Sequence, residues 1–241
     1  MMALVLSIFP GIGLFDRAFE EQGFCIVRGP DLLWGGDIKR FHPPAGRFDG
    51  VIGGPPCQAF SQLNQAGRAG KQRLAEDLIP EFARVVAEAA PAWFVMENVP
   101  QAPTAMVSLY ESVSVLANNR WFGGVQNRIR RFTFGTRLWF GAREMAAALQ
   151  REEVALETAE RAGCFTANGT QWDAAKGRSR SQRTRDELRK GIRLQGLPDD
   201  FDLPGMTIEG AIRAVGNGVP IPLGRAVARA VKCFDEARRV A

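Results

Sequence analysis

The chain has 241 residues, of which 46% are hydrophobic and 24% charged, and its formal net charge is +5 at pH 7. Such a chain can bury a full core, which suits one α/β domain with a small appendage and argues against disorder. Its four cysteines are widely spaced and its only histidine is His42, which disfavours disulfide frameworks, metal sites and Ser-His-Asp chemistry. Residues 1–9 are apolar but lack a basic leader region and are too short to span a bilayer, so we expect a cytoplasmic protein that does not bind membranes.

Predicted strands and helices alternate along the amino-terminal part of the chain. We expect strands at residues 4–9, 24–28, 49–52 and 93–96, and helices at residues 14–22 and 76–90. In the second helix the apolar residues recur at helical spacing, and Pro91 ends it before the next strand. This βαβ alternation predicts an α/β fold with a mostly parallel sheet.

The rest of the chain has a less regular pattern. We expect a helix near residues 105–116, two short strands around residues 121–125 and 131–140, a helix at residues 141–157 and a final helix near residues 223–239. Residues 163–185 are polar with few large apolar side chains, which is typical of a loop-rich insert. We therefore divide the chain into a core at residues 1–140, a small insert at residues 141–185 and a carboxy-terminal segment at residues 186–241 that completes the core.

One cysteine lies on a loop that directly follows a predicted strand. The loop reads Gly53-Gly54-Pro55-Pro56-Cys57, and its glycines allow the backbone to turn sharply at the carboxyl end of the strand. Open α/β sheets bind their ligands at that edge, where an attacking thiolate belongs. Taken alone, the pattern favours a buried cysteine that packs as a small hydrophobe.

A second loop of interest follows the first strand. It reads Phe9-Pro10-Gly11-Ile12-Gly13, and its two glycines let a ligand approach the backbone closely. The turn lacks the third glycine of a dinucleotide fingerprint, and any βα unit can need such a turn. Asp31 is a candidate ligand for a ribose and Asp37 for an adenine amino group, although either residue is equally typical of a turn.

The ordered series of short motifs resembles the cytosine-5 DNA methyltransferase family along most of the chain. In their expected order, the motifs are Phe9-x-Gly11-x-Gly13, Pro55-Pro56-Cys57-Gln58, Glu97-Asn98-Val99, Gln126-x-Arg128-x-Arg130, Arg193-Leu194-Gln195-Gly196-Leu197-Pro198 and Gly216-Asn217-x-Val219. Several independent motifs in order make coincidence implausible. The resemblance implies a Rossmann-like methyltransferase fold, S-adenosyl-L-methionine as cofactor and double-stranded DNA as substrate. It suggests a small member of phage or prophage type, with restriction-modification among the roles to consider.

The resemblance also implies a catalytic role for five residues. Cys57 is the nucleophile that adds to C6 of cytosine and thereby activates C5 toward the methyl sulfonium. Glu97 contacts N3 of the base, Arg130 contacts the base carbonyl and holds Glu97, and Asn98 orients the loop. Arg128 is assigned to the same group, with phosphate binding or a structural role as its alternative. We expect the arginines to raise the thiolate fraction of Cys57.

The remaining candidates divide between the cofactor and the nucleic acid. The cofactor candidates are Phe9, Pro10, Gly11, Gly13, Asp31, Asp37, Pro55, Asn217 and Val219. The candidates for contacts with DNA are Gln58, Ser61, Gln126, Arg178, Arg180 and Arg183. Basic clusters at residues 120–137 and 176–193 attract phosphate backbones, and such contacts help to offset the cost of extruding a base from the duplex.

The insert lies where the family carries its target-recognition region, and it is unusually small. Few of its residues can enter the major groove. We therefore predict a short recognition sequence, modest specificity, or dependence on a partner or second subunit.

Three departures from the family pattern bear on the cofactor. Ser7 replaces a usual aspartate, Leu14 replaces a usual glycine, and the segment from Asp31 to Asp37 is shortened. Two alternatives stay open. An RNA cytosine-5 methyltransferase is one, because Cys164-Phe165-Thr166 resembles a tripeptide of the branch that acts on transfer RNA. A nucleic-acid-binding relative that has lost turnover is the other.

Overall fold

The computed structural model describes residues 2–57, 60, 76–138, 140–152, 163–170 and 184–240. The strands in these ranges are β1 (Leu4–Ile8), β2 (Cys25–Arg28), β3 (Gly50–Gly53), β4 (Trp93–Asn98), β5 (Glu111–Asn118), β6 (Ile129–Thr136), β7 (Phe165–Thr166) and β8 (Gly169–Thr170). The helices are α1 (Leu14–Glu20), α2 (Ile79–Ala89), α3 (Gly141–Arg151), α4 (Arg185–Leu194), α5 (Ile208–Asn217) and α6 (Ile221–Val240). Short 3-10 turns lie at Leu32–Trp34, Ile38–Arg40 and Asn119–Phe122.

The first six strands form one sheet in the order β2-β1-β3-β4-β6-β5. β1 pairs in parallel with β2 on one side and β3 on the other, and β3 pairs in parallel with β4. β6 lies antiparallel between β4 and β5. The predicted α/β fold with a mostly parallel sheet is therefore confirmed. Between β1 and β3 the strand order reverses, and open sheets bind ligands outside the carboxyl ends of the strands at such a point.

Helices cover both faces of the sheet. Successive strand residues point to opposite sides, so each strand contributes apolar side chains to both layers. On one face Val5 and Trp93 pack in a cluster with α1, α3 and α6. On the other face Leu6 and Phe94 pack with α2. A third cluster joins α4 and α5 to the β7–β8 hairpin through Phe165. Burial on both faces explains why β1 and β4 read as nearly continuous apolar runs.

The carboxy-terminal helix α6 is tied to the amino ends of the strands. Trp93 Nε1 donates to Asp235 Oδ1 at 2.9 Å, and Arg238 Nη2 lies 3.2 Å from Asp49 Oδ1. The other oxygen of Asp49 accepts from Leu4 N at 2.8 Å. α6 spans 20 residues, but neither it nor any other described helix is long and apolar enough to cross a membrane.

The region expected to form a helix near residues 105–116 contains β5 instead. Val113 and Val115 alternate with serines, a period of two that favours a strand, and β5 pairs with β6 along its eight residues. The strand expected at residues 121–125 is also wrong, since Asn119–Phe122 forms a 3-10 turn. A turn there reverses the chain so that β6 can run back along β5.

The boundary expected at residue 141 falls before a helix of the core. Ala142, Met145 and Leu149 of α3 are buried in the same cluster as Phe134 of β6, so α3 belongs to the core and not to the insert. Between α3 and α4 the structure describes residues 163–170, which hold the β7–β8 hairpin. α5 was not predicted, and its amphipathic pattern in the sequence is short.

Candidate active site

A cleft of about 600 Å³ opens at the carboxyl ends of β1, β3 and β4. It is lined by most of the residues nominated for catalysis or cofactor binding, namely Phe9, Pro10, Gly11, Asp31, Asp37, Pro55, Cys57, Glu97, Arg130, Asn217 and Val219. These residues come from loops far apart in the chain. The strand order brings the loops together at one edge of the sheet.

The loop after β1 contributes backbone to the cleft. Phe9, Gly11 and Gly13 have φ angles of 55°, 56° and 77°, in the left-handed region. Gly13 is the N-cap of α1, and a Cβ atom on it would lie 3.1 Å from Nη2 of Arg28. Both glycines are therefore explained by the turn itself. Gly11 lines the cleft, whereas Gly13 is not among the described residues that line it.

Asp31 and Asp37 line the cleft and also stabilise the backbone around it. Asp31 accepts hydrogen bonds from Gly11 N at 2.8 Å and Leu33 N at 2.7 Å, which ties the loop after β1 to the segment after β2. Asp37 accepts from Lys39 N at 3.0 Å. Both are thus turn residues, and since an ionised carboxylate offers about four acceptor positions, each retains capacity for a ligand.

Ser7 has a carboxylate beside it that comes from α1. Ser7 Oγ donates to Asp16 Oδ1 at 2.5 Å, and Arg28 Nε donates to Asp16 Oδ2 at 2.8 Å. Burial raises the pKa of Asp16 in spite of these two partners. Ser7 and Asp16 both line the cleft. A carboxyl group therefore lies beside position 7, where the family pattern has an aspartate.

Leu14 is accommodated by a glycine on the opposite wall. Its side chain is buried, and a Cβ atom on Gly218 would lie 2.5 Å from Leu14 Cδ1. Gly218 stands between Asn217, the last residue of α5, and Val219, which is buried. The close approach of Leu14 to this loop brings both residues to the cleft.

Cys57, Glu97 and Arg130 share the cleft, and the neighbouring residues hold them there. Arg130 Nε lies 2.9 Å from Glu97 Oε1. A Cβ atom on Gly54 would lie 3.1 Å from Glu97 Oε2, so the cysteine loop packs directly against this carboxyl. Asn98 Nδ2 donates to the Pro55 carbonyl at 3.2 Å, which ties the end of β4 to the same loop.

Burial dominates the electrostatics of the two titratable groups. It raises the pKa of Glu97, while the charges of Arg130 and Arg128 act in the opposite direction. Burial also raises the pKa of Cys57, and the negative charge of Glu97 adds to this rise. The charges of Arg130 and Arg128 lower the pKa of Cys57, which is the direction expected of them, but burial and Glu97 outweigh the two arginines and the net pKa is raised. Protonation of Glu97 would remove one cause of the raised Cys57 pKa.

Gln126 and Arg128 are buried, which rules out contact with DNA for Gln126 and leaves Arg128 the structural role that was its alternative. Gln126 is 0% exposed, and its amide bonds to Leu194 O at 2.7 Å and to Gln195 Oε1 at 2.8 Å. Arg128 is 1% exposed and donates to three backbone carbonyls. Assigning Gln126 to DNA is thus wrong, as is assigning Arg128 to catalysis, because neither side chain reaches the surface that a base or a phosphate would contact.

Other residues of the cleft were not nominated from the sequence. The main ones are Ser7, Asp16, Leu32, Leu33 and Arg213. Leu32 is 72% exposed, and a large exposed apolar residue becomes informative only when the fold shows that it borders a cleft. The nominated Gln58, Ser61, Arg178, Arg180 and Arg183 lie outside the described residues.

Comparisons with known proteins agree on one family. The family model described as C-5 cytosine-specific DNA methylase matches residues 35–186 and 145–233. Type II methyltransferase M1.HphI of Haemophilus parahaemolyticus is 49% identical over 123 residues, which are 41% of this chain and 33% of that protein. Type II methyltransferase M.AquIA of a Picosynechococcus species is 54% identical over 126 residues, 39% of this chain and 48% of that protein. The chain thus spans less than half the length of these two relatives.

Solved structures show the same fold at low sequence identity. The crystal structure of S. pombe Dnmt2 methyltransferase superposes with a TM-score of 0.64 at 15% identity, over 98% of this chain and 99% of that chain. The described elements therefore follow a fold that is shared by methyltransferases.

Proposed function

Because the chain belongs to the C-5 cytosine-specific DNA methylase family, we propose that it transfers a methyl group from S-adenosyl-L-methionine to C5 of cytosine in double-stranded DNA. One observation carries this proposal. A single cleft contains the glycine turn, the Cys57 thiol and the Glu97–Arg130 pair. A methyl donor and a base that shares the cleft with it would therefore meet beside a nucleophile.

Family membership implies a methyl donor, and the cleft suits S-adenosyl-L-methionine. The chemistry of the lining is mixed in the way a nucleoside requires, with apolar Leu32 and Val219 beside the carboxylates of Asp31 and Asp37. We assign the nucleoside to these residues, and the amino-acid end to the backbone of Gly11. When bound, this cofactor supplies an electrophilic methyl group on a sulfonium.

Cys57 acts on the base. Its thiol gives its proton to solvent and the Sγ thiolate forms a bond to C6, while a proton passes from Glu97 to N3 and neutralises the negative charge that develops there. C5 then has the electron density to take up the methyl group. Loss of the C5 proton to solvent and cleavage of the Sγ–C6 bond, whose electron pair leaves with Sγ, release the product and restore the Cys57 thiolate. The N3 proton returns to Glu97 in the same collapse.

Glu97 and Arg130 divide the remaining work. The raised pKa of Glu97 keeps its carboxyl protonated to higher pH than an ordinary glutamate, which suits a group that must give a proton to N3. Arg130 holds Glu97 through Oε1 at 2.9 Å and has further N–H donors for the carbonyl of the base. Asn98 stays a positioning residue, since its amide binds the cysteine loop.

The base must leave the duplex to reach this cleft. Residues Arg178, Arg180 and Arg183 remain our candidates for DNA contacts, and so do Gln58 and Ser61 of the cysteine loop. The small insert still predicts limited specificity or a second subunit, and no comparison supports such a subunit. A DNA substrate and a free Cys57 thiol together favour a cytoplasmic location, and the phage or prophage origin stays a prediction.

The RNA alternative has less support than the sequence suggested. Phe165 is fully buried, and Cys164 Sγ is 3.6 Å from Arg128 Nη1. Packing thus accounts for Phe165, the central residue of the tripeptide that resembles the RNA branch, and Cys164 contacts Arg128. Parallel tritium transfer to duplex DNA and to transfer RNA separates the two substrates, and we expect label in DNA.

One experiment tests the activity and its specificity together. The chain is expressed in a host without DNA methylation, and 5-methylcytosine is mapped by bisulfite sequencing with Cys57→Ala as the control. We expect methylation at a short site with the wild type and none with the variant. Binding of the cofactor without methylation of either nucleic acid would favour the inactive relative, and methylation by Cys57→Ala would contradict the mechanism.

A further inference from the structure

Three buried side chains form a polar junction beside the cleft. Gln126, Arg128 and Gln195, which we call the polar clasp, are each at most 1% exposed. They come from the chain before β6 and from the end of α4. Their partners lie in two other parts of the fold, the β7–β8 hairpin and the loop between α5 and α6.

Arg128 binds both of these parts with one guanidinium. Nη1 donates to the Phe165 carbonyl at 2.5 Å. Nη2 donates to the carbonyls of Gly216 and Gly218 at 2.8 Å and 3.1 Å. The planar group thus binds the backbone on either side of Asn217, which lines the cleft. A lysine ammonium is a single point donor and cannot span these three acceptors.

The two glutamines complete the junction. Gln195 Nε2 donates to Val215 O at 2.6 Å and to Gly218 O at 3.1 Å, and Gln126 donates to Gln195 Oε1. Gln126 Oε1 accepts from the Phe165 amide at 3.2 Å. Four hydrogen bonds from the clasp therefore reach the segment 215–218, and two bonds hold the hairpin.

A buried guanidinium is costly unless its donors are satisfied. Here Nη1 and Nη2 of Arg128 bind backbone carbonyls of one hairpin and one loop, while Nε is a buried donor without a partner among the described residues. That loop presents Asn217 and Val219 to the cleft. We propose that Arg128 is a positioning residue, which holds the Asn217–Val219 wall in place for the methyl donor and couples it to the hairpin of the recognition insert. The part of this inference that concerns the donor rests on the proposed function, while the part that concerns the loop does not.

The test compares Arg128→Lys and Arg128→Met with the wild-type full chain. Hydrogen exchange without ligand reports on the loop, and calorimetry with S-adenosylhomocysteine reports on the cleft. Arg238→Met is the matched control, because it removes a largely buried arginine that binds Asp49 and Asp235 near the amino ends of the strands. We expect amide exchange at residues 215–219 and the Kd to rise at least about tenfold in both Arg128 variants, with less than about twofold change in the control.

Steady-state kinetics separate positioning from direct catalysis. We expect KM for the donor to rise about tenfold while kcat stays within about threefold. A fall in kcat at unchanged KM would place Arg128 in the chemical step and overturn the proposal. The proposal would also be overturned if amide exchange and Kd changed no more in the Arg128 variants than in Arg238→Met, because Arg128 would then contribute only to global stability.

Two further outcomes are also decisive. If the Arg128 variants do not fold, Gln195→Met removes two of the four bonds to the same segment, and the same local rise in exchange is expected. If the wild type binds neither the donor nor S-adenosylhomocysteine, the proposed function fails, and the exchange data still decide whether Arg128 holds the loop.

Discussion

Arg130 Nε lies 2.9 Å from Glu97 Oε1 in a cleft where burial raises the pKa of that carboxyl. Two opposing effects act on the Glu97 carboxyl, namely the attraction of Arg130 and the loss of contact with water. The arginine fixes one oxygen, while desolvation favours the protonated form. This balance makes Glu97 suited to hold a proton for a bound base, and it underlies the first two predictions.

Glu97→Gln should reduce methyl transfer far more than cofactor binding. Glutamine retains the size of the side chain but has no acidic proton to give to N3. Loss of general acid help lowers rates by about 10²- to 10⁴-fold, so we expect kcat to fall by at least about a hundredfold, with Kd for S-adenosylhomocysteine within about twofold. Tritium transfer and calorimetry measure the two quantities. A variant that keeps a tenth of the activity would contradict the role.

The reactivity of Cys57 should report the charge of Glu97. Because burial and Glu97 raise the pKa of Cys57, alkylation by iodoacetamide should show a midpoint above the ordinary thiol value of about 8.5. Removing the negative charge in Glu97→Gln should shift the midpoint to lower pH, although the same variant loses methyl transfer.

The measurement uses a Cys25→Ser/Cys233→Ser background, because both of those thiols are exposed. The rate of alkylation is followed by mass spectrometry of the peptide that contains Cys57. A midpoint that stays unchanged or rises in Glu97→Gln would show that the two groups do not interact.

Gly54→Ala should displace the Glu97 carboxyl. The added Cβ atom would lie 3.1 Å from Oε2, so one of the two groups must move by a few tenths of an ångström. We expect kcat to fall about tenfold while the melting temperature changes by only about 2 °C. In the double variant with Glu97→Gln the loss should not add, because residues in contact act as a unit. Fully additive losses of kcat would show that Gly54 and Glu97 act independently.

Asp16→Asn should alter how stability depends on pH. Burial raises the folded-state pKa of Asp16, so the folded chain binds this proton more tightly than the unfolded chain. Its contribution is therefore largest below the unfolded pKa of about 3.9 and is lost as pH rises through the higher folded value. The Asp16→Asn variant has no titrating carboxyl at this position and therefore lacks this pH-dependent contribution to stability.

Urea unfolding from pH 4 to 7 measures the effect. The free energy of unfolding of the wild type, taken relative to Asp16→Asn, should decrease as pH rises. A difference that grows with pH would mean that Arg28 and Ser7 outweigh desolvation, and that the Asp16 pKa is lowered.

Trp93→Phe should weaken the attachment of α6. The change removes the bond from Nε1 to Asp235, and hydrogen bonds to charged groups are worth about 1.5–3 kcal/mol. Lost packing at a fully buried site adds to this, so we expect the free energy of unfolding to fall by about 2–4 kcal/mol. Trp121→Phe, at a 39% exposed position, is the control and should change it by less than about 0.5 kcal/mol.

Much of the fold follows from patterns along the chain. β1, β3 and β4 are short apolar runs followed by glycine or polar turns, so their carboxyl ends could be located to within two residues. β5 was mistaken for a helix because the alternation of Val113 and Val115 with serines, which is a local strand signal, covers only a few residues before Leu116 and Ala117 interrupt it. α3 was assigned to the insert because its polar face masks the buried stripe of Ala142, Met145 and Leu149.

The chemistry of the site was inferred from the resemblance of several short motifs to one family, because the position of Cys57 after a strand, taken alone, favours a packing role. Cys57, Glu97 and Arg130 were nominated from short motifs, and all three line one cleft. The sequence did not predict which of the nominated side chains are buried. Arg128 and Arg130 are two residues apart in one motif, yet the Arg128 side chain points into the protein. It binds the carbonyls of Phe165, Gly216 and Gly218.

Local sequence therefore specified which groups the chain could use, since propensity and turn chemistry act over a few residues. The tertiary structure decided which of them face the cleft, which are withdrawn from water and how their pKa values move. Those properties depend on neighbours from distant segments, such as Gly54 against Glu97 or Ser7 against Asp16. Desolvation and hydrogen bonding are set by these neighbours, and no short stretch of the chain contains them.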